Sequence, residues 1–174
     1  KIAEKAHNYS VISATIEEID AALKTNAVLV LPILKEAKTI INPALLDRYK
    51  EYKFTAGNVK SFIGSCRKIL ELNKKGLELD FEIGSMVYSL MLRIRGLLMI
   101  KLISNDMLYS KSRLFGYLER NGLAKEKIKE LYRIYSSERN GNKVKESEIA
   151  AKDDVQKLVL IMENILREAN RLIR

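Results

Sequence analysis

One stretch of the sequence is apolar on nearly every side of the helix that it predicts. The segment Phe81 to Ser104 is mostly aliphatic, and its few charged side chains are Glu82, Arg93, Arg95 and Lys101. An isolated helix of this kind would expose apolar surface to water, so it is stable when other helices surround it. Asp80 is suited to cap its first turn. The chain therefore has to supply several further helices, and the predicted fold is an all-α bundle.

The rest of the sequence predicts those helices, because apolar residues recur every three or four positions between breakers. We predict a bundle of seven to eight helices, with no sheet. The β-branched run Val28 to Leu31 suggests a strand, but it has no strand-like partner and runs into Pro32, which is suited to a helix's first turn. The predicted helices run over about 2–24, from Pro32, from Pro43 after the cap Asn42 to about Phe54, from Thr55 to a stop at Gly76, over the central 81–104, over 111–121, over 125–139, and from the cap Ser147 to about 172.

A domain boundary is predicted at Gly76 to Asp80. It would separate an N-terminal helical region, 1–79, from a bundle over 80–174, unless the two form one continuous domain. The last helix carries a strict four-three apolar repeat. This repeat serves either a coiled-coil seam between two chains, which would make a homodimer, or packing within one bundle. Its members are Ala151, Val155, Leu158, Met162, Ile165, Ala169 and Leu172.

Composition excludes several classes of protein. With 174 residues, 47% of them hydrophobic, and only 8 Gly and 2 Pro, the chain is neither collagenous nor disordered. Cys66 has no second cysteine to pair with, which favours a reducing, cytoplasmic location over a disulfide framework. Arg93 and Arg95 interrupt the apolar run Met86 to Ile103, so we expect no membrane span. Because residue 1 is Lys, we expect the chain to be a processed product or part of a longer protein.

The charge is concentrated in one part of the chain. The net charge is +9 at pH 7, and Ser110 to Lys145 holds ten basic side chains against four acidic ones. Such a local excess attracts phosphate, and phosphate contacts supply most non-specific affinity for nucleic acid. The alternative is an ordinary solvated lysine-rich face.

Three arginines occupy unusual positions. Arg93 and Arg95 lie in the most apolar helix, about 160° apart on its surface, so at least one should reach the rim. A buried guanidinium needs an anion or carbonyls. The candidates are a phosphate ligand or structural ion pairs with Glu82, Glu119 or Glu138.

Arg139 continues the apolar stripe that carries Tyr132 and Tyr135. It could grip phosphate while the tyrosine rings stack on a base, or it could cap the helix's last carbonyls. His7 is the single histidine, and no acidic pair has metal-binding spacing, so neither a metal site nor a cofactor is expected.

Two runs resemble a known family of helical domains. They are SMVYSLMLRIRGLLMIKLISNDMLYSKSRLFGYLERNGL, residues 85–123, and ELYRIYSSERNG, residues 130–141. They are similar to the HEPN-type domain (higher eukaryotes and prokaryotes nucleotide-binding), in the version that forms the C-terminal half of archaeal nucleotidyltransferase-like proteins. The resemblance covers about 83–172. It implies a bundle, often dimeric, that works with a nucleotidyltransferase domain in cis or in trans and binds nucleotide or nucleic acid.

Some members of that family are ribonucleases that use an Arg, a polar residue and a following His. Arg139 and Asn140 match the start of this motif, but Val144, Lys145 and Glu146 stand where the His should be. The general acid or base is missing, so the resemblance implies a binding role and no catalytic residue. Three hypotheses follow: a non-catalytic nucleotide or RNA-binding module, a structural homodimerisation module, and a degenerate ribonuclease. The candidate binding residues are Arg93, Arg95, Lys101, Arg113, Tyr132, Arg133, Tyr135, Arg139 and Asn140.

Overall fold

A computed structural model describes residues 13–38, 43–142 and 152–173, and it confirms the all-α fold class. No strand occurs among these residues. They form eight helices: α1 (Ile16–Thr25), α2 (Ala27–Glu36), α3 (Ala44–Lys50), α4 (Ala56–Glu78), α5 (Ile83–Ile103), α6 (Lys111–Arg120), α7 (Lys125–Arg139) and α8 (Lys152–Leu172).

Helix α5 is the centre of the bundle, as its all-round apolar sequence predicts. It packs against α8, α7, α4 and α2. Leu90, Ile94 and Leu97 on this helix are fully buried. A polar contact joins α5 to α4, where Asn73 Nδ2 donates to Ser89 Oγ at 3.0 Å. Among the described helices, none is both long enough and apolar enough to cross a membrane.

The four-three repeat of α8 is used within the chain. Val155, Leu158, Met162, Ile165 and Ala169 are completely buried, against α5 and α4. At the end of the repeat Leu172 is 43% exposed, and Ala151 lies outside the described residues. The structure therefore supports the intramolecular alternative. A homodimer would need a different surface, because this one is already covered.

The N-terminal helix is shorter than predicted. Residues 1–12 lie outside the described part, but 13–15 are not helical and α1 begins at Ile16. Thr15 forms a capping box: its Oγ1 accepts from the Glu18 backbone N–H, and its own N–H donates to Glu18 Oε2 at 2.7 Å. A single helix over 2–24 is therefore wrong, since the cap satisfies the free N–H groups at this point.

The predicted start at Pro32 is also wrong, because α2 begins at Ala27 and contains Pro32. The run Val28 to Leu31 is not a strand, because it lies within α2. Proline lacks the N–H that would bond to the Val28 carbonyl, which weakens this turn. Burial compensates, since Ala27, Val28 and Leu31 all lie in the core. Packing thus determines the helix despite the local signal.

The junction between α4 and α5 differs in detail from the prediction. Helix α4 does not stop at Gly76 but continues to Glu78, and α5 begins at Ile83. Asp80 is not the N-cap; it adopts a left-handed conformation with φ 52°. The chain turns back so that the Phe81 N–H donates to the Gly76 carbonyl at 2.9 Å. A Cβ on Gly76 would lie 3.0 Å from the Phe81 ring, so this glycine permits the ring's close approach.

Two further boundaries bear on the predictions. Helix α3 ends at Lys50 instead of continuing to Phe54, and the predicted caps Asn42 and Ser147 lie outside the described residues. The boundary between 1–79 and 80–174 stays a prediction. The buried core includes residues from both sides of it, and α4 packs on both α5 and α8.

Candidate anion-binding groove

A groove opens beside the central helix, between α2, α4 and α5. Its volume is about 930 Å³, within the range of small-ligand sites. Tyr109, from the α5–α6 loop, and Arg139, at the end of α7, contribute to its wall. We call it the arginine groove after the three cationic side chains that line it: Arg93, Arg95 and Arg139.

Arg93 is incompletely satisfied. Its Nη2 donates to Ser65 Oγ on α4 at 3.3 Å. Its Nε is buried and has no hydrogen-bond partner in the described part of the chain. A buried donor without a partner costs about 1–3 kcal/mol, and more when the group is charged. A ligand oxygen that reached this atom would remove that cost.

Arg95 is held by tyrosines. Its Nη1 donates to the Tyr135 hydroxyl at 3.3 Å, and its guanidinium lies 5.4 Å from the centre of the Tyr109 ring. Burial raises the pKa of Tyr109 to about 12, although the Arg95 charge opposes this. Tyr109 therefore stays neutral at pH 7, so it contacts the guanidinium without neutralising it.

None of these three arginines forms an ion pair with a carboxylate of the described residues. The structural alternative named Glu82, Glu119 and Glu138 as partners, and none of them pairs with Arg93 or Arg95. Glu138 instead packs beside Gly84, where an added Cβ would lie 3.0 Å from its Oε1. Among the described lining residues, Glu36 is the single acidic one. The groove therefore carries an excess of positive charge.

The opposite wall of the groove is apolar. It includes Leu29 and Ile33 of α2, which are 63% and 59% exposed, and Phe62 of α4. The groove thus offers charged donors together with apolar surface.

Arg93 and Arg95 reach the same groove although they leave α5 in nearly opposite directions. Both residues line the groove. Arg93 donates to Ser65 of α4, whereas Arg95 donates to Tyr135 of α7. Arg139 joins them from α7. The sequence therefore identified three arginines that the structure brings together.

The other predicted cations do not line this groove. Lys101 forms an ion pair with Glu168 at 2.7 Å and lies 5.1 Å from the centre of the Tyr117 ring. Together with exposed Arg113 it lines a separate hollow of about 360 Å³ between α5 and α6. Arg133 lies on the exposed side of α7. The basic stretch is thus spread over several surfaces.

The predicted stacking role of the two tyrosines does not fit their packing. Tyr135 is 2% exposed and stacks on Tyr88, with the ring centres 5.7 Å apart. Tyr132 has Lys111 Nζ 4.1 Å from its ring centre, and its ring lies in an edge-to-face arrangement with Phe115, with the ring centres 5.2 Å apart. The stripe that contains these rings faces the core, so Tyr135 acts by orienting Arg95.

Asn140 has a structural position at the end of α7. Its backbone N–H donates to the carbonyls of Ser136 and Ser137 at 3.2 and 3.0 Å, which closes the helix. Its side chain is exposed. The positions where the family's histidine would stand, 144–146, lie outside the described residues.

Sequence reasoning missed Tyr109, Ser65 and Phe62 as members of the groove. Only the packing of α4 on α5 brings them beside the arginines, and no local pattern signals it. Cys66 is fully buried near the groove, and burial raises the pKa of its thiol to about 12. Within the described residues, no cluster of His, Cys, Asp and Glu could hold a metal ion.

Comparisons with known proteins identified no relative of this chain. Neither the family models, nor the curated proteins, nor the solved structures include a match to the chain. What the fold and the groove define is an all-α bundle with a cationic cleft beside its central helix.

Proposed function

We propose that this protein is a non-catalytic helical module that binds the phosphate groups of a nucleotide or of RNA in the arginine groove. One observation carries the proposal. Arg93, Arg95 and Arg139 line one cleft, and none has a carboxylate partner among the described residues. Guanidinium groups bind phosphate through paired, charge-assisted hydrogen bonds.

The energetics of the empty groove favour an anionic ligand. Three cations that share a partly buried cleft repel one another, and Arg93 Nε has no hydrogen-bond partner there. A phosphate would reduce the repulsion. Leu29, Ile33 and Phe62 would then lie beside a base or ribose.

The resemblance to HEPN-type domains assigns the module a partner. In that reading it serves a nucleotidyltransferase domain, in cis or in trans, in the cytoplasm. The other two hypotheses receive less support. A homodimer would have to use a surface other than the α8 seam, and ribonuclease activity still requires a histidine that the motif lacks.

The test is a binding titration with ATP and with fluorescein-labelled RNA at low and at physiological salt. We expect binding that weakens as salt rises. Arg139 is exposed and unpaired within the described residues, so Arg139→Ala should leave the fold intact. Losing one charge-assisted contact should weaken binding of both ligands by about tenfold or more.

Arg120→Ala is the matched control, because it removes the same charge from an exposed position on α6 outside the groove. It should change affinity much less than Arg139→Ala does. Equal losses in both variants would show that only the overall charge attracts the ligand. Absence of binding to either ligand at low salt would overturn the proposal.

A further inference from the structure

A second groove lies at the other side of α4, between its first half and the end of α8. Its volume is about 660 Å³. Four of its lining side chains are cationic, and none of the described lining residues is acidic. We call it the α4–α8 groove; its cations are Lys60, Arg67, Arg167 and Arg171.

Two of these guanidiniums are held in place by neutral amides. Arg67 Nη2 donates to Asn170 Oδ1 at 3.2 Å, and Asn170 Nδ2 in turn donates to the Leu166 carbonyl at 2.8 Å. Arg167 Nη2 donates to Asn164 Oδ1 at 2.7 Å. Amides orient a guanidinium without cancelling its charge, so the positive charge of this groove is left for a ligand.

The same two helices do pair charges elsewhere. Further along, Lys74 of α4 forms an ion pair with Glu163 of α8 at 2.5 Å. In the groove itself, none of the four cations forms an ion pair with a described carboxylate. The positive charge of the groove, where the surface is concave, is therefore not neutralised in the way that Lys74 is.

The two grooves flank the same helix. At 100° per residue, Lys60 and Arg67 lie on one side of α4, while Ser61 and Ser65 of the arginine groove lie on the other. Gly64 lies on the outer surface between them, and a Cβ there would have no neighbour within 4 Å. A ligand that passes over α4 at Gly64 would meet no side chain from that position.

We propose that the α4–α8 groove is a second phosphate-binding groove, and that the ligand is a single-stranded nucleic acid that crosses α4 from one groove to the other. This rests on the proposed function and narrows its ligand. A mononucleotide can occupy one groove, whereas a strand presents phosphates to both. A helix is about 10 Å wide, which a few nucleotides span.

The two grooves would have different tasks on that strand. The arginine groove has an apolar wall, with Phe62, against which a base can pack. The α4–α8 groove has aliphatic Ile63 and Ile173 but no aromatic lining residue in the described part, so it would hold the backbone. Engaging both raises affinity through effective concentration, because the second contact becomes intramolecular.

The experiment compares ATP with labelled oligouridylates of about 3 and about 12 nucleotides. The double variant Arg67→Gln/Arg171→Gln removes two charges from the α4–α8 groove. We expect it to weaken binding of the longer strand by about tenfold or more and to leave ATP binding unchanged. Lys60→Gln leaves the hydrogen bonds of Asn170 intact. It should also weaken binding of the longer strand, by a smaller factor.

The matched control is Arg113→Gln/Arg120→Gln, which removes two charges from α6. The second groove would not be a binding site if this control weakened binding of the longer oligouridylate as much as the groove variant does. The same conclusion would follow if neither variant changed that binding. Tighter binding of inorganic polyphosphate than of the longer oligouridylate would overturn the assignment to nucleic acid. ATP binding and its response to Arg139→Ala test the proposed function, whereas the α4–α8 groove variants test the second groove, so the two failures are distinguishable.

Discussion

Gly96 and Gly64 occupy neighbouring helices, but their surroundings differ. A Cβ at Gly96 would lie 2.3 Å from Phe62 Cζ, whereas at Gly64 it would have no neighbour within 4 Å. Alanine at either position should gain helix propensity of about 0.5–1 kcal/mol. At Gly96 the displaced Phe62 ring should outweigh that gain.

We therefore expect Gly64→Ala to stabilise the protein by about 0.5–1 kcal/mol and Gly96→Ala to destabilise it by about 1–3 kcal/mol. Urea unfolding measures both. The Phe62 ring also lines the arginine groove, so Gly96→Ala should weaken ATP binding as well. Equal stability of the two alanine variants would mean that the Phe62 ring moves aside and does not limit the size of the side chain at position 96.

The residues that sequence reasoning found share one property, and so do those that it missed. Arg93, Arg95 and Arg139 are anomalous because each interrupts an apolar pattern. Arg67 and Arg171 stand on ordinary amphipathic surfaces, and only the packing of α8 against α4 makes them converge. Tyr135 is 2% exposed, because a stripe residue is in most cases a core residue, and its ring does not face the groove.

Of the two predicted N-caps that lie in the described residues, Thr55 is correct and Asp80 is wrong. Thr55 begins α4 as expected: its Oγ1 accepts from the Asn58 backbone N–H at 3.3 Å, and its N–H donates to Asn58 Oδ1 at 2.9 Å. The start of α5 was misplaced, because Asp80 is drawn into a turn by Phe81 packing on Gly76. Local chemistry determines a cap unless a tertiary contact competes for the same residues.

Thr55→Ala should lower the free energy of unfolding by about 1 kcal/mol, because α4 loses the acceptor for its Asn58 N–H. The control is Thr25→Ala, at the exposed end of α1, where the hydroxyl donates to the Ala21 carbonyl without capping an N-terminus. Urea titration of both variants measures the difference. An equal loss in the two would mean that the capping box contributes nothing beyond the hydroxyl itself.

The stability of the whole molecule should depend on alkaline pH. Burial raises the pKa of Tyr109 and of Tyr117 to about 12 from their ordinary value of 10.0. The folded state thus holds these two protons more tightly than the unfolded state does. The resulting stabilisation is complete below about pH 10 and is lost as pH rises toward about 12.

Two measurements check this dependence. The free energy of unfolding should fall steeply above about pH 10, and the native protein should show tyrosinate absorbance in two phases. Tyr109→Phe and Tyr117→Phe should each flatten the fall. The expected pH dependence would be contradicted if the tyrosinate absorbance of the native protein reached the value for all eight tyrosines in a single transition at about pH 10.

The position of α8 in the chain has a consequence for biosynthesis. This helix covers α5 and α4 with five fully buried side chains, yet it is made after both of them. At about 5–20 residues per second, the ribosome finishes α8 on the order of several seconds after α5. Throughout that interval the most apolar helix of the protein lacks its largest cover. Nascent chains that stall before α8 would present an open hydrophobic face to chaperones, and in their absence to one another.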